Sequence, residues 1–170
     1  MSKMKNAACG NCGAKARAER GNYAFTESGL PGVVLRDVEI VRCSACGEEE
    51  VAIPRLNELM RTLALAVLCK PYPLNGKEVR FLRKSLHFSA QELSRLLRID
   101  KTTISKWENG HDAVGPQSDR LLRLLVAAKG EGMQEKNVLD QVVEALGRIE
   151  DIERPFHLEL NPALHSFEYA

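Results

Sequence analysis

The sequence predicts an α+β protein of two domains, a small β-rich domain followed by an all-α domain. Four of the five cysteines and three β-favouring stretches lie in the first 50 residues, where helical periodicity is almost absent. Apolar residues recur at helical spacing from Leu56 onward, and three helix N-cap signals follow residue 70. We therefore place the domains at residues 1–70 and 71–130. Residues 131–170 form a C-terminal helix and acidic tail, a candidate dimerisation or docking element.

The composition is that of a globular protein with no membrane segment. The N-terminus, "MSKMKNAACG", is charged and lacks the apolar core of a secretory signal. The longest apolar run, from Leu59 to Leu68, is interrupted by Arg61 and is shorter than the roughly 20 residues that span a bilayer. We expect a cytoplasmic protein.

Charge is distributed unevenly along the chain. Residues 71–129 contain eleven Lys or Arg against six Asp or Glu, whereas residues 130–170 contain three against nine. A net charge of +5 in the middle segment would suit a polyanion such as DNA, because Lys and Arg displace counterions from phosphates. By itself this charge could equally be a solvated basic face.

The cysteines form two Cys-x-x-Cys pairs. Cys9 and Cys12 lie in "CGNCG", and Cys43 and Cys46 lie in "CSACG". Two such turns can present four sulfurs in the tetrahedral arrangement that structural Zn²⁺ prefers, and four thiolates leave no position for substrate. We expect one structural zinc ion per chain. A rubredoxin-like iron centre and a pair of redox dithiols remain alternatives, and a disulfide framework is the least favoured.

The segments around the cysteine pairs predict a sheet and a linking helix. Between the pairs, β-favouring stretches flank a turn at Leu30-Pro31-Gly32, as expected if a sheet brings the second pair back to the first. A domain this small needs the metal for its folding. After Pro54 the pattern predicts a helix of about four turns, in which Cys69 is a small buried hydrophobe. Lys70 to Gly76, "KPYPLNG", is predicted to be an extended linker and the domain boundary.

The N-caps predict short helices near 76–86, 90–97 and 101–108. Their predicted caps are Asn75, Ser89 and Asp100, the first two with a glutamate three residues later. A fourth helix opens at Pro116, and a fifth is capped by Asn137. After Pro155, apolar residues alternate at 156, 158 and 160, which suggests a short strand or an extended docking arm.

The helix predicted at 101–108 has two distinct faces. Ile104 and Trp107 share its inward face. The residues predicted on the opposite face are Lys101, Thr102, Ser105 and Lys106. Such side chains can contact guanine edges, thymine methyl groups or phosphates, and the short break after the preceding helix is that of a helix-turn-helix. The competing interpretation is an amphipathic helix with solvated lysines.

The segment "FLRKSLHFSAQELSRLLRIDKTTISKWENG", residues 81–110, resembles the Xre/Cro type of helix-turn-helix. The resemblance implies a lambda-repressor-like, five-helix all-α domain in which Lys101, Thr102 and Lys106 face bases. It also implies that Asn109 and residues 89–91, including Ser89 and Gln91, lie near phosphates. A buried ion pair between Arg83 and Glu108 is implied as well.

The order of the motifs is similar to that of the MqsA (YgiT-type) antitoxins and related regulators. Two Cys-x-x-Cys pairs, a linking helix and a domain containing "SKWENG" occupy residues 9–129. In that family the zinc domain neutralises a toxin ribonuclease, and the helix-turn-helix domain dimerises and represses its operon through a palindromic site. The resemblance places Thr102 and Lys106 at the principal base-reading positions.

These patterns together predict a zinc-stabilised, sequence-specific DNA-binding regulator, a repressor acting as a homodimer on a palindromic operator in double-stranded DNA. The alternative is an antitoxin whose zinc domain holds a ribonuclease toxin, and a more remote alternative is a rubredoxin-like electron carrier. We expect no enzymatic activity, because the sequence has no recognisable nucleophile–base pair, phosphate-binding glycine loop or open metal site.

Overall fold

In the computed structural model, which describes residues 5–133, 136–150, 152, 154 and 157–169, an N-terminal β-sheet is followed by a helical helix-turn-helix domain. The strands are β1 (Lys5–Ala8), β2 (Lys15–Ala24), β3 (Val33–Cys43), β4 (Glu49–Ala52), β5 (Leu158–Asn161) and β6 (Ser166–Tyr169). The helices are α1 (Leu56–Cys69), α2 (Gly76–Ser85), α3 (Ala90–Leu97), α4 (Lys101–Glu108), α5 (Pro116–Lys129) and α6 (Lys136–Leu146). The predicted α+β class is confirmed.

The sheet has β3 at its centre. Strands β2 and β3 form a long antiparallel hairpin, whose register shifts between Gly21 and Tyr23. The other edge of β3 is shared, because β4 pairs with its second half and β5 runs parallel to its first three residues. The hairpin places Ala16 opposite Cys43, so the turn before β2 and the turn after β3 lie side by side at one end of the sheet.

The C-terminal segment completes this N-terminal sheet. Residues Val33, Val34 and Leu35 of β3 pair with Leu158, Glu159 and Leu160 of β5, and β6 pairs with β5. Leu158 and Leu160 are fully buried, and the hydroxyl of Tyr169 donates to the carbonyl of Ala66 on α1 at 2.7 Å. The alternating pattern predicted after Pro155 is therefore a strand from Leu158 onward, and residues 155 and 156 lie outside the described residues.

The helices α2, α3 and α4 begin where their caps predict, and α2 ends at Ser85, one residue before the predicted end. The N–H of Glu78 donates to Asn75 Oδ1 at 3.0 Å, and the side chain of Glu78 accepts from the N–H of Asn75. Ser89 and Glu92 form the same reciprocal pair at α3. Helix α6 begins at Lys136, one residue before its predicted cap.

The linker between α1 and α2 is held by buried charge. Arg123 of α5, with no exposed surface, donates to the carbonyls of Leu68, Lys70 and Tyr72 at 2.6–2.8 Å. Asp119 accepts from Arg123 Nε at 2.7 Å and from the N–H of Leu74 at 2.6 Å. These contacts satisfy linker backbone groups that burial would otherwise leave without a partner. The predicted extended linker is thus fixed against α5.

The apolar core runs without a break through this junction. One cluster of buried side chains joins Leu35 and Ile40 of the sheet, Leu63 of α1, and Leu82 and Ile104 of the helical domain. A second, small cluster contains Cys9, Ala16 and Cys43. Among the described residues, none of the helices is both long enough and apolar enough to cross a membrane.

Candidate metal centre and nucleic-acid interface

The two Cys-x-x-Cys pairs meet at the end of the β2–β3 hairpin. Cys9 and Cys12 lie in the turn between β1 and β2, while Cys43 ends β3 and Cys46 lies in the turn before β4. Cys9 and Cys43 are buried and Cys12 and Cys46 are exposed, so the cluster lies at the surface. All five cysteines of the chain are described, and none is in a disulfide.

The spacing of the four sulfurs fits a tetrahedral metal site. All four Sγ atoms lie within 4.8 Å of one another. The Cys9 and Cys46 sulfurs are 3.7 Å apart, and those of Cys12 and Cys43 are 3.6 Å apart. Zn–S bonds of about 2.3 Å in a tetrahedron would place sulfurs about 3.8 Å apart. The cluster can therefore hold a metal ion, and its sulfur-only donor set suits zinc or iron.

Both turns are built in the same way. The N–H of Gly13 donates to the carbonyl of Cys9 at 2.9 Å, and the N–H of Gly47 donates to that of Cys43 at 2.9 Å. Gly13 and Gly47 have positive φ angles of 72° and 76°, which residues with a Cβ rarely adopt. The glycine after each pair is therefore needed to turn both sulfurs toward one point.

The thiols are crowded enough to oppose joint ionisation. Backbone N–H groups of Cys46 and Ala45 lower the pKa of Cys43 to about 7. For Cys46, the N–H of Glu48 acts to lower the pKa, but hydrogen bonds with the other thiols and burial raise it to about 12. Four thiolates at this spacing therefore need a bound cation to offset their repulsion.

The second candidate site is formed by α3 and α4. Arg98, with a left-handed φ of 55°, ends α3, and Asp100 caps α4 by accepting from the N–H of Thr102 at 2.7 Å. On α4, Ile104 has no exposed surface and Trp107 is 6% exposed. The inward face predicted for this helix therefore packs in the core.

The predicted base-facing residues of α4 share one exposed surface. These residues are Lys101, Thr102, Ser105 and Lys106. Three of them have side-chain partners within the chain: the Thr102 hydroxyl donates to Asp100 Oδ1 at 2.7 Å, Ser105 Oγ accepts from Asn109 Nδ2 at 3.4 Å, and Lys106 Nζ lies 3.4 Å from Asp112 Oδ2. Thr102 thus offers its methyl group and oxygen lone pairs, and Lys106 must exchange Asp112 for any other anion.

The predicted phosphate-facing residues also lie on the exposed surface. Gln91 is exposed in the first turn of α3, next to Ser89. The Ser89 oxygen accepts from the N–H of Glu92 at 3.2 Å, and a hydrogen bond from the Ser89 side chain lowers the pKa of Glu92. Asn109 is held at both ends of its amide, since its nitrogen donates to the Ser105 carbonyl and its oxygen accepts from Arg80.

The ion pair implied between Arg83 and Glu108 is a three-residue network. Arg83 Nε lies 2.6 Å from Glu108 Oε1, and its Nη2 lies 3.0 Å from Oε2. Arg80 adds a bond from Nε to Glu108 Oε2 at 3.1 Å, which the sequence interpretation missed. The signal was available, because Arg80 precedes Arg83 by three residues and shares its helix face.

Gly76 is a second residue that the interpretation missed. It was placed at the end of the predicted linker and at the start of the predicted helix; it is the first residue of α2, and its contact with the end of α4 was not predicted. A Cβ there would overlap the carbonyl oxygen of Trp107 and lie 2.9 Å from its carbonyl carbon. Gly76 therefore allows α2 and α4 to approach closely.

A helix-turn-helix family model matches residues 79–127, which run from within α2 to within α5. Neither the comparison with curated proteins nor the comparison with solved structures finds a match. The matched segment contains α3, α4 and the exposed face described above, and it supports a DNA-binding regulator.

Proposed function

We propose that this chain is a zinc-stabilised, sequence-specific transcriptional regulator that represses by binding a palindromic operator as a homodimer. The observation that carries the proposal is the helix-turn-helix match over α2 to α5, in which α4 combines a buried face with an exposed polar and cationic face. The proposal includes no catalytic step, and its place of action is the cytoplasm.

Base reading is assigned to the exposed face of α4. Lys101 and Lys106 can donate to the O6 and N7 atoms of guanine, and the Thr102 methyl can contact a thymine methyl. The pair between Lys106 and Asp112 is exposed on both sides and is therefore weak, so a phosphate or base can replace Asp112. Ser89, Gln91 and Asn109 are assigned to the phosphates that flank the groove.

Dimerisation is supported by apolar side chains that the fold leaves exposed. Leu139 and Val143 lie one turn apart on α6 and are 41% and 54% exposed, and Leu121 on α5 is 48% exposed. Helices α5 and α6, which carry these side chains, pack against each other. A two-fold pairing of this surface would give two copies of α4 and hence a two-fold operator.

Zinc is the metal we assign to the cysteine cluster. Four thiolates complete its coordination, so the ion would tie the β1–β2 turn to the β3–β4 turn and contribute folding energy directly. An electron carrier would instead need iron at the same sulfurs. Purified protein that is colourless and contains about one zinc per chain supports the zinc assignment, and a coloured iron protein would overturn it.

A second candidate function is that of an antitoxin. The order of a four-cysteine sheet, α1 and a helix-turn-helix domain is the order on which the resemblance to the MqsA type rests. Co-expression with the product of the adjacent gene tests this function. A stable complex that suppresses a ribonuclease activity of that product supports it, and growth arrest that this chain does not relieve counts against it.

Selection of bound duplexes from a randomised pool tests the proposed function. The expected result is enrichment of an inverted repeat whose half-sites are centred about 10–10.5 base pairs, or a multiple of that distance, apart. Salt-dependent binding that enriches no sequence would show that the protein binds DNA non-specifically, and it would overturn the assignment as a sequence-specific regulator.

A further inference from the structure

A cavity of about 510 Å³ lies between the sheet and the helical domain. Its walls come from the turn at residues 27–29, from α1, from α2 and from residues 130–133 after α5. This volume is in the range of small-molecule sites, roughly 300–1,000 Å³. The cavity is separate from the cysteine cluster and from the exposed face of α4.

The lining is apolar at the base and cationic at the rim. Its buried or half-buried apolar members are Met60, Ala64, Phe81, Val126 and Met133. Its cations are Arg61, Lys77, Arg80 and Lys84, and its carboxylates are Glu27 and Glu131. Such a lining matches a molecule with an apolar body and an anionic head.

Most of these cations have no carboxylate partner among the described residues. Within the part of the chain that the structure describes, Arg80 is the one lining cation that forms an ion pair, to Glu108. Glu27 is already engaged, since the hydroxyl of Tyr23 donates to it. The excess positive charge at the rim is therefore available to an anion from solution.

Arg61 packs against the loop after α5. Gly132 has a φ of 72°, and a Cβ there would overlap the Cδ and guanidinium of Arg61. The side chain of Arg61 thus packs directly over the backbone of this glycine. Arg61 therefore lies at the wall of the cavity where α1 meets the loop after α5.

We propose that this cavity binds a small amphipathic organic anion and that this binding lowers the affinity of the protein for DNA. The effect on DNA affinity rests on the proposed function, whereas the binding of the anion does not. The carboxylate or other anionic head contacts the cations of the rim, which are Arg61 of α1 and Lys77, Arg80 and Lys84 of α2. The apolar body packs on Met60 and Phe81.

Arg80 connects the cavity to the recognition helix. It lines the cavity, and it donates to Glu108 at 3.1 Å and to Asn109 Oδ1 at 3.3 Å at the end of α4. An anion that draws Arg80 into the cavity removes these two contacts and neutralises charge that attracts phosphates. Both effects lower DNA affinity, and by linkage DNA lowers the affinity for the anion.

Fluorescence titration of the full-length, metal-loaded protein with 1-anilinonaphthalene-8-sulfonate tests the binding site. N-phenyl-1-naphthylamine, the same ring system without the sulfonate, is the neutral probe. The variant Lys77→Gln/Lys84→Gln should weaken sulfonate binding by on the order of tenfold and leave the neutral probe unchanged. The matched control is Lys15→Gln/Arg17→Gln, which removes two exposed cations of β2.

Equal affinities of the two double variants for the sulfonate probe would overturn the assignment of the cavity as its binding site. So would a lowered DNA affinity of Lys77→Gln/Lys84→Gln with unchanged sulfonate binding, because these lysines would then be phosphate contacts only. Lys77 and Lys84 are both exposed, so their replacement should leave the fold intact, and a thermal melt checks this.

Decanoate and decanol test the coupling on a duplex recovered by selection. Decanoate should raise the Kd for DNA of the parent protein several-fold, decanol should not, and the Lys77→Gln/Lys84→Gln variant should not respond. Sulfonate binding at the cavity with a DNA affinity that decanoate leaves unchanged would overturn the coupling. Failure to bind any duplex would instead overturn the proposed function, and the cavity would still be tested by the two probes.

Discussion

At the scale of single residues, Thr102 and Lys106 are held by acidic side chains next to the surface that we assign to DNA. The Thr102 hydroxyl is bonded to the cap residue Asp100, and Lys106 is paired with Asp112. The first contact stabilises the start of α4 and orients the Thr102 methyl, and the second is exposed and exchangeable. The Thr102 hydroxyl thus helps to position α4, while the Thr102 methyl and the Lys106 ammonium are left to contact DNA.

Glu108 should make stability depend on pH in the acid range. Burial acts to raise its pKa, but hydrogen bonds from Arg83 and Arg80 outweigh burial and lower the pKa below the ordinary value of 4.5. On acidification the unfolded chain therefore binds a proton before the folded chain does. The stabilisation is complete above about pH 4.5 and is lost as pH falls through the folded pKa.

Thermal melts of Glu108→Gln between pH 7 and pH 3 measure this contribution. The variant should melt below the parent at pH 7, and its Tm should fall less steeply on acidification. Glu168→Gln, which changes an exposed glutamate of β6, is the control and should follow the parent. Parallel curves for the parent and Glu108→Gln would show that the network adds no pH-dependent stability.

At the scale of elements, the contact between α2 and α4 depends on Gly76. We predict that Gly76→Ala destabilises the fold by about 1–3 kcal/mol, because the added methyl would overlap the Trp107 carbonyl. Gly115→Ala is a matched control, since Gly115 also lies at the start of a helix but has no atom within 4 Å of an added Cβ. Urea unfolding compares the two variants, and equal midpoints would contradict the close approach.

The two cysteine turns should act as one element when metal is bound. Cys46→Ser removes one of four clustered sulfurs, so we expect it to lose the metal on purification and to lower the Tm. Cys69→Ser is the control, because Cys69 lies on α1 outside the cluster. Elemental analysis of both variants decides the matter, and a full metal content in Cys46→Ser would contradict a four-sulfur site.

At the scale of the whole molecule, the junction between sheet and helices is a buried polar contact. Arg123→Lys keeps the charge but cannot reach Asp119 together with one carbonyl at the end of α1 and two in the linker, so we predict a loss of roughly 3–5 kcal/mol. Lys129→Gln, at the exposed end of α5, should change stability by less than about 0.5 kcal/mol. Urea unfolding measures both, and an unchanged midpoint for Arg123→Lys would mean that the linker is not anchored by this residue.

Local signals in the sequence predicted the helical half of the fold and the cysteine cluster. Asn75, Ser89 and Asp100 mark helix starts because a cap acts on N–H groups two or three residues away. The pairing of Val33 with Leu158 and the contact of Gly76 with Trp107 join residues far apart in the chain. No local pattern specifies which strand edge β5 will pair with or which helix end Gly76 will contact, so these contacts could not be predicted from the sequence.

The central claim is that α4 reads a base sequence, and one binding titration tests it most directly. Thr102→Ala/Lys106→Ala and the control Lys15→Ala/Lys129→Ala are compared with the parent on the selected duplex and on a scrambled duplex at fixed salt. The α4 variant should lose about 1–3 kcal/mol of discrimination for each base contact removed, whereas the control should retain the parent's ratio of affinities. Equal binding of the α4 variant and the parent to the selected duplex would contradict the account.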